Sequence, residues 1–478
     1  MRNHNTASAA RAACLALALC GCAVNPVTQR SDFVLMSEEQ EIALGARSHE
    51  QIMRQYRAYD DAALQAVVTR IGRQLAAVSH RSHLDFHFTV LDSPEVNAFA
   101  LPGGHIYITR GIIAYMNSLE ELAGVLGHEI GHVTARHGVR QHAASAAAGF
   151  LGALITAAAD GNQAAGDVTD MLGGALISGY GRKHELEADR LGAEYLARGG
   201  YEPRKMLEVI GILKDREEFE KARAREEGRE PSNYHGIFAT HPDNDRRLRE
   251  VVAAADRHKR EGVKPADRAR FLRLLEGVTF GENERDGITR GRRFYHRELD
   301  LFAEFPAEWR IHNLPAQLRA VRADNRAALF IEIKERNGGD ARRHLLREYP
   351  GIREVRALGR GRHAGVITAN TAFGKIPAQI AAVAHGDGTL FVAGFAEDGI
   401  PKREVLNTAK SLRRLKAGER KLAKARRIRI VRAAGGRRFA DYARGAGLGA
   451  HGADQLRLLN GVYPNGEPAA GKLIKIIR

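Results

Sequence analysis

Residues Ser118 to Arg136 read SLEELAGVLGHEIGHVTAR, and the rest of the chain is organised around them. Ser118 followed three residues later by Glu121 is a capping box, in which each side chain satisfies a backbone donor left open at a helix start. A helix is therefore expected to begin here. Leu122, Val125, Leu126 and Ile130 recur at helical spacing, which predicts one buried apolar face with His128 and His132 on the face beside it. Four residues apart on a helix, two imidazoles come close enough to share one cation. Glu129, one position round, stands beside that cation without ligating it. The pattern His-Glu-x-x-His thus has the geometry of a zinc hydrolase. Two solvated histidines on a polar helix face would be the bland alternative, but that leaves Gly127, Gly131 and the apolar flank unexplained.

Catalytic zinc takes three protein groups and keeps its fourth position for water, so a third ligand is needed. Gly179 to Leu196, GYGRKHELEADRLGAEYL, offers Glu185 and Asp189 at i and i+4 of a second helix, with Ala188, Leu191, Ala193 and Leu196 as packing positions. One of the two carboxylates can reach the metal while the other hydrogen-bonds a ligand histidine and fixes its tautomer.

The joint pattern HEIGHVTARH, GYGRKHELEADRLG and ATHPDNDRR resembles the signature set of the family-48 zinc metallopeptidases, relatives of the CAAX prenyl proteases, in their soluble bacterial envelope branch. The resemblance covers about Asn25 to Arg260. It implies one zinc per chain on His128, His132 and Glu185, with Glu129 as general base and Asp189 behind a ligand. Gly181 stands where many members carry serine. His241 matches a histidine that lies near the metal in the family; it could donate to the oxyanion or occupy the open zinc position. Asn97, Ala98 and Phe99, in a stretch Ala98 to Arg110 that reads as two short strands around a Pro-Gly-Gly turn, resemble the edge strand that receives the substrate backbone. A hairpin merely packed on the catalytic helix is the competing reading.

The chain opens with Arg2 and Arg11, a short apolar run and Leu19-Cys20-Gly21-Cys22, which reads as an export signal over residues 1–21 ending in a sequence similar to a lipobox. That similarity implies lipidation of Cys22 and, with Ala23 after it, an outer-membrane lipoprotein facing the periplasm of a Gram-negative bacterium. Simple secretion is the alternative. All 3 cysteines, Cys14, Cys20 and Cys22, lie within residues 1–22, so the mature chain is expected to have no internal disulfide. An Ala-rich run, Ala143 to Ala159, reads as a buried or lid helix, or as one that touches a membrane.

The expected architecture is multidomain. A mainly α-helical zincin-type metallopeptidase domain with a short β-sheet spans residues 22–263, followed by a helical linker over 264–286 and an α+β accessory domain over 287–418. The stretch around Trp309 faintly resembles small PsbP/Mog1-like domains. Residues 426–478 read as a small basic β-α-α-β module resembling LysM glycan-binding modules, although Gly435-Gly436-Arg437 replaces the usual Gly-Asp-Thr. Residues 401–478 hold 20 Lys and Arg against 5 Asp and Glu, which accounts for nearly all of the net charge of +16. In the periplasm the anions on offer are lipid head groups, lipopolysaccharide and peptidoglycan carboxylates, so surface adhesion is expected and nucleic acid is not. The expected activity is endopeptidase cleavage of unfolded or misassembled envelope proteins. A non-proteolytic assembly factor that keeps its zinc and a wall-anchored binding protein are the two alternatives from other classes.

Overall fold

A computed structural model describes residues 36–141, 181–227 and 267–478, other than 315–316, 337–338 and 372–373, together with 22–24, 26–27 and 31–33. His241 and the Ala-rich run 143–159 lie outside the described residues. By its contacts the chain divides into two units, Met1–Val278 with Arg427–Arg478, and Thr279–Arg426.

The first unit starts with α1 (Glu38–Gln55), whose N-cap Ser37 forms a capping box with Gln40, and α2 (Ala62–Ala76), capped by Asp61. Residues 56–61, which are not helical, separate these two. Then come β1 (His87–Leu91), β2 (Ala98–Ala100) and β3 (His105–Thr109). They form one sheet in the order β1-β3-β2, with β1 parallel and β2 antiparallel to β3, so β2 is an edge. Short α3 (Arg110–Tyr115) leads into α4 (Leu119–Thr134), followed by α5 (Arg182–Arg198), α6 (Lys205–Glu226) and α7 (Arg268–Leu274). Helix α4 is buried on every side from Glu120 to Thr134, not on one face, because α2, α5, α6 and β2 all pack around it. A helix carrying polar ligands can be sunk this deeply only if those groups partner one another.

The second unit begins with the antiparallel meander β4 (Ile288–Arg290), β5 (Arg293–His296) and β6 (Leu301–Glu304). Strands β7 (Trp309–Leu314), β8 (Gln317–Arg322) and β9 (Ala327–Glu335) follow, then α8 (Ala341–Glu348). Strands β10 (Arg353–Gly359), β11 (Arg362–Thr371), β12 (Gly374–His385) and β13 (Gly388–Ala396) and helix α9 (Lys402–Ser411) complete it. Strands β7 to β13 make a seven-stranded antiparallel sheet in the order β7-β8-β9-β13-β12-β11-β10. Its alternation feeds two cores: Ala381 and Val383 of β12 join Val405 and Ala409 of α9, while Ile380 and Ala382 join Ala341 and Leu345 of α8.

The chain ends with β14 (Arg426–Arg432), α10 (Phe439–Ala443), α11 (Gly452–Leu459) and β15 (Leu473–Ile477), the two strands pairing antiparallel. By contacts, residues 427–478 group with the first unit. The reason is a buried lysine. Lys475 of β15 is fully buried and donates from Nζ to the carbonyls of Ala114 and Met116, 2.7 Å each, just ahead of α4. Gln455 of α11 donates to the Tyr115 hydroxyl at 2.8 Å, and Tyr463 and His451 set their rings edge-on to Phe219 of α6. Among the described residues no helix is long and apolar enough to cross a membrane.

Candidate metal centre

Helix α4 starts where its capping residues dictate. The Ser118 hydroxyl accepts from the Glu121 amide at 3.1 Å, and the Glu121 carboxylate accepts from the Asn117 amide at 2.6 Å. The return bond therefore lands one residue ahead of the usual box. Burial pushes the Glu121 carboxyl above its ordinary value, opposed by the Asn117 amide and the nearby Lys475 ammonium.

Helices α4 and α5 touch backbone to backbone. A Cβ at Gly131 would lie 2.9 Å from the Ala188 carbonyl oxygen, and one at Gly127 would lie 3.3 Å from that of Gly192. A Cβ at Gly192 in turn would lie 3.1 Å from the His128 nitrogen. The three glycines thus let α5 approach near enough for its carboxylates to meet the histidines of α4. This answers why glycines sit at 127 and 131.

His128, His132 and Glu185 converge, each offering one donor atom within 4.8 Å of the others. His128 Nε2 and His132 Nε2 are 2.9 Å apart, with Glu185 Oε2 3.6 Å from the first and Oε1 3.4 Å from the second. His128 Nδ1 lies 2.8 Å from Asp189 Oδ1. Glu129, Glu185 and Asp189 are wholly buried, His132 almost so. Burial holds the His132 imidazole well below its usual range, with Glu185 opposing and His128 and His137 reinforcing it. A neutral imidazole is the form that ligates. Two nitrogens and one carboxylate oxygen, buried and close together, match the donor set that zinc takes.

Behind His132 stands a group that sequence reasoning named only as part of a motif. His137 Nδ1 is 2.8 Å from His132 Nδ1, and His137 Nε2 is 3.1 Å from Glu187 Oε2, which also accepts from Arg140 at 3.0 Å. His184 stacks on His137 with centroids 4.4 Å apart. His137 is visible in HEIGHVTARH and Glu187 in HELEAD, but no spacing rule connects them, since one lies past the end of α4 and the other on α5.

The sheet flanks this centre. The backbone of Asn97 exchanges bonds with Thr109, Ala98 is buried at the start of β2, and half-buried Phe99 stacks on Tyr107 with centroids 4.8 Å apart. Strand β2 packs on α4, so the edge runs past the helix that bears His128 and His132. Cys22 opens a three-residue strand paired with Ser31–Phe33.

The model of peptidase family M48 matches residues 62–255. The beta-barrel assembly-enhancing protease of Yersinia pestis is 29% identical over 257 residues, 52% of this chain and 51% of that protein. Its counterpart in Escherichia coli (strain K12) is 30% identical over 222 residues, covering 45% and 43%. The mitochondrial metalloendopeptidase OMA1 of Schizosaccharomyces pombe is 26% identical over 232 residues, covering 47% and 64%. The chain spans about half the length of the bacterial relatives. The matched segment holds both histidines, Glu129, Glu185 and Asp189, and with His128, His132 and Glu185 gathered within 4.8 Å of one another, residues 62–255 are similar to the peptidases of family M48, whose members depend on zinc.

Proposed function

We propose that the protein is a zinc-dependent endopeptidase of the bacterial envelope that hydrolyses peptide bonds of unfolded or misassembled periplasmic and outer-membrane proteins. The observation that carries this is the buried triad of His128, His132 and Glu185 with Glu129 one residue from the first ligand. His128, His132 and Glu185 would hold zinc, which would supply a Lewis acid that lowers the pKa of water to about 7 and polarises a peptide carbonyl. Asp189 fixes the His128 ring through Nδ1, leaving Nε2 for the metal. Glu129 takes the proton of the attacking water and hands it to the leaving amine. Such a base has no use in a structural site, which argues against an assembly factor that merely keeps its metal.

Asn97, Ala98 and Phe99 offer the edge of β2 to an extended substrate, whose backbone pairs with little regard for side chains. Broad specificity for unfolded chains follows, in keeping with the names of the bacterial relatives. His241, outside the described residues, is assigned a place near the metal, where it donates to the oxyanion or covers the open position. Lipidation of Cys22 would anchor the chain to the outer membrane on its periplasmic side. The basic residues of 401–478, with the LysM-like order of 426–478, favour contact with peptidoglycan or another anionic surface.

The test compares the chain from Ala23 with its Glu129→Gln and His241→Ala variants, by metal content and by cleavage of casein. The parent is expected to hold about one zinc and to cleave, and Glu129→Gln to hold zinc without cleaving. Folded parent without zinc would overturn the site, and an active Glu129→Gln would overturn the assigned base. His241→Ala with the parent's turnover and zinc content would remove the role of His241.

A further inference from the structure

The two ligand histidines are backed differently. His128 meets a carboxylate directly, at Asp189, whereas His132 meets another imidazole, His137, and only beyond it a carboxylate, Glu187. We propose that His137 and Glu187 are positioning residues that lock the His132 ring in its metal-binding orientation and tautomer through a relay of two hydrogen bonds. This deepens the reading of His128, His132 and Glu185 as zinc ligands and rests on it.

Proton counting allows one arrangement. His132 Nε2 faces His128 Nε2 and Glu185 and must give its lone pair to the metal, so the proton of the neutral ring sits on Nδ1. Between His132 Nδ1 and His137 Nδ1, 2.8 Å apart, only one proton fits, so His137 Nδ1 accepts. The proton of His137 is then on Nε2, and Nε2 points at Glu187 Oε2 at 3.1 Å. Every proton in the chain from carboxylate to metal has a single place, and reversing any one ring would set two donors or two lone pairs face to face.

The backbone builds this relay deliberately. Helix α4 ends at Thr134, and Arg136 takes a left-handed φ of 55°, so His137 folds back beside His132 in place of continuing the helix. The Arg136 side chain is held by buried Glu41, Nε to Oε2 2.8 Å, and by the Met36 carbonyl. His184 stacks flat on His137, and the His137 ring is wholly buried and lies edge-on to His132. Glu185, Glu187 and Asp189, all on α5, then serve as ligand, relay end and direct partner respectively.

The test uses the full-length protein and reads zinc affinity by competition with a chelator, together with the visible spectrum of the cobalt-substituted form. The apo forms are compared by circular dichroism so that only folded variants count. His137→Leu should weaken zinc about 10–100-fold, and Glu187→Leu should weaken it in the same direction. His137→Asn, which keeps an acceptor near the place of Nδ1, should recover most of the loss and restore the parent's cobalt spectrum. Arg140→Ala, which removes the guanidinium that pairs with Glu187 but leaves the His137 bond to Glu187, should stay near the parent. Because Glu187 acts through His137, the double variant should bind no more weakly than His137→Leu alone. Folded His137→Leu with the parent's affinity and spectrum, His137→Asn as poor as His137→Leu, or additive losses in the double variant would overturn the relay. Parent protein that binds no zinc would instead overturn the ligand assignment on which it rests.

Discussion

Replacing Lys475 by Met tests whether β15 holds the start of α4. The lysine is fully buried, and its Nζ donates to the Ala114 and Met116 carbonyls at 2.7 Å each. Asn460 clamps the same residue through its backbone, accepting from the Lys475 amide and donating to its carbonyl, both at 2.9 Å. Methionine matches the length and fills the space but donates nothing. Two buried acceptors then go unsatisfied at about 1–3 kcal/mol each, and Glu121 loses a cation that favours its charged form. The ammonium no longer has to be desolvated, which returns part of that cost, so the expected net loss is about 2–4 kcal/mol. Amide hydrogen exchange of residues 114–126 observes this region, with urea unfolding followed by far-UV circular dichroism as the global measure. Lys472→Met, an exposed neighbour in sequence, is the control and should leave both unchanged. If Lys475→Met exchanged like the parent over 114–126 and unfolded within about 0.5 kcal/mol of it, the brace would not exist.

Two further outcomes come from packing and burial. Gly131→Ala would ordinarily stabilise a helix interior by about 1 kcal/mol, but here its Cβ meets the Ala188 backbone at 2.9 Å, so thermal stability and zinc affinity should both fall. A more stable variant with unchanged zinc affinity would show that α4 and α5 are not in backbone contact. Burial pushes the Glu95 carboxyl up to about 7. The folded chain therefore keeps a proton that the unfolded chain has lost between the ordinary carboxyl value and about pH 7, and stability falls as pH rises through that window. Glu95→Gln should be about 1–3 kcal/mol more stable than the parent at pH 8 and nearly equal to it at pH 4.5, by urea midpoints. An equal difference at both values would refute the shift.

Elements with local causes were legible without a structure. Ser118 and Glu121 mark a helix start because a cap involves residues within one turn, and the observed helix begins there. Ser37 marks α1 for the same reason, and the Pro-Gly-Gly turn separates β2 from β3. The seven-stranded sheet was legible only in fragments. Strands such as β10, exposed at most positions, carry no apolar alternation that would announce them. Their pairing is set by neighbours far along the chain.

The same division runs through the metal centre. By itself the sequence determined that His128 and His132 share a helix face with Glu129 beside them, since helical geometry fixes what residues four apart can do. Only the tertiary structure decided that α4 is enclosed on all sides, that glycines admit α5 to backbone contact, and that His137 and Glu187 stand in line behind His132. It likewise joined Lys475 to the turn before α4, across most of the chain's length. These contacts depend on which surfaces are buried against each other and on which polar groups must then be satisfied inside, and that is a property of the whole packed chain, not of any one stretch.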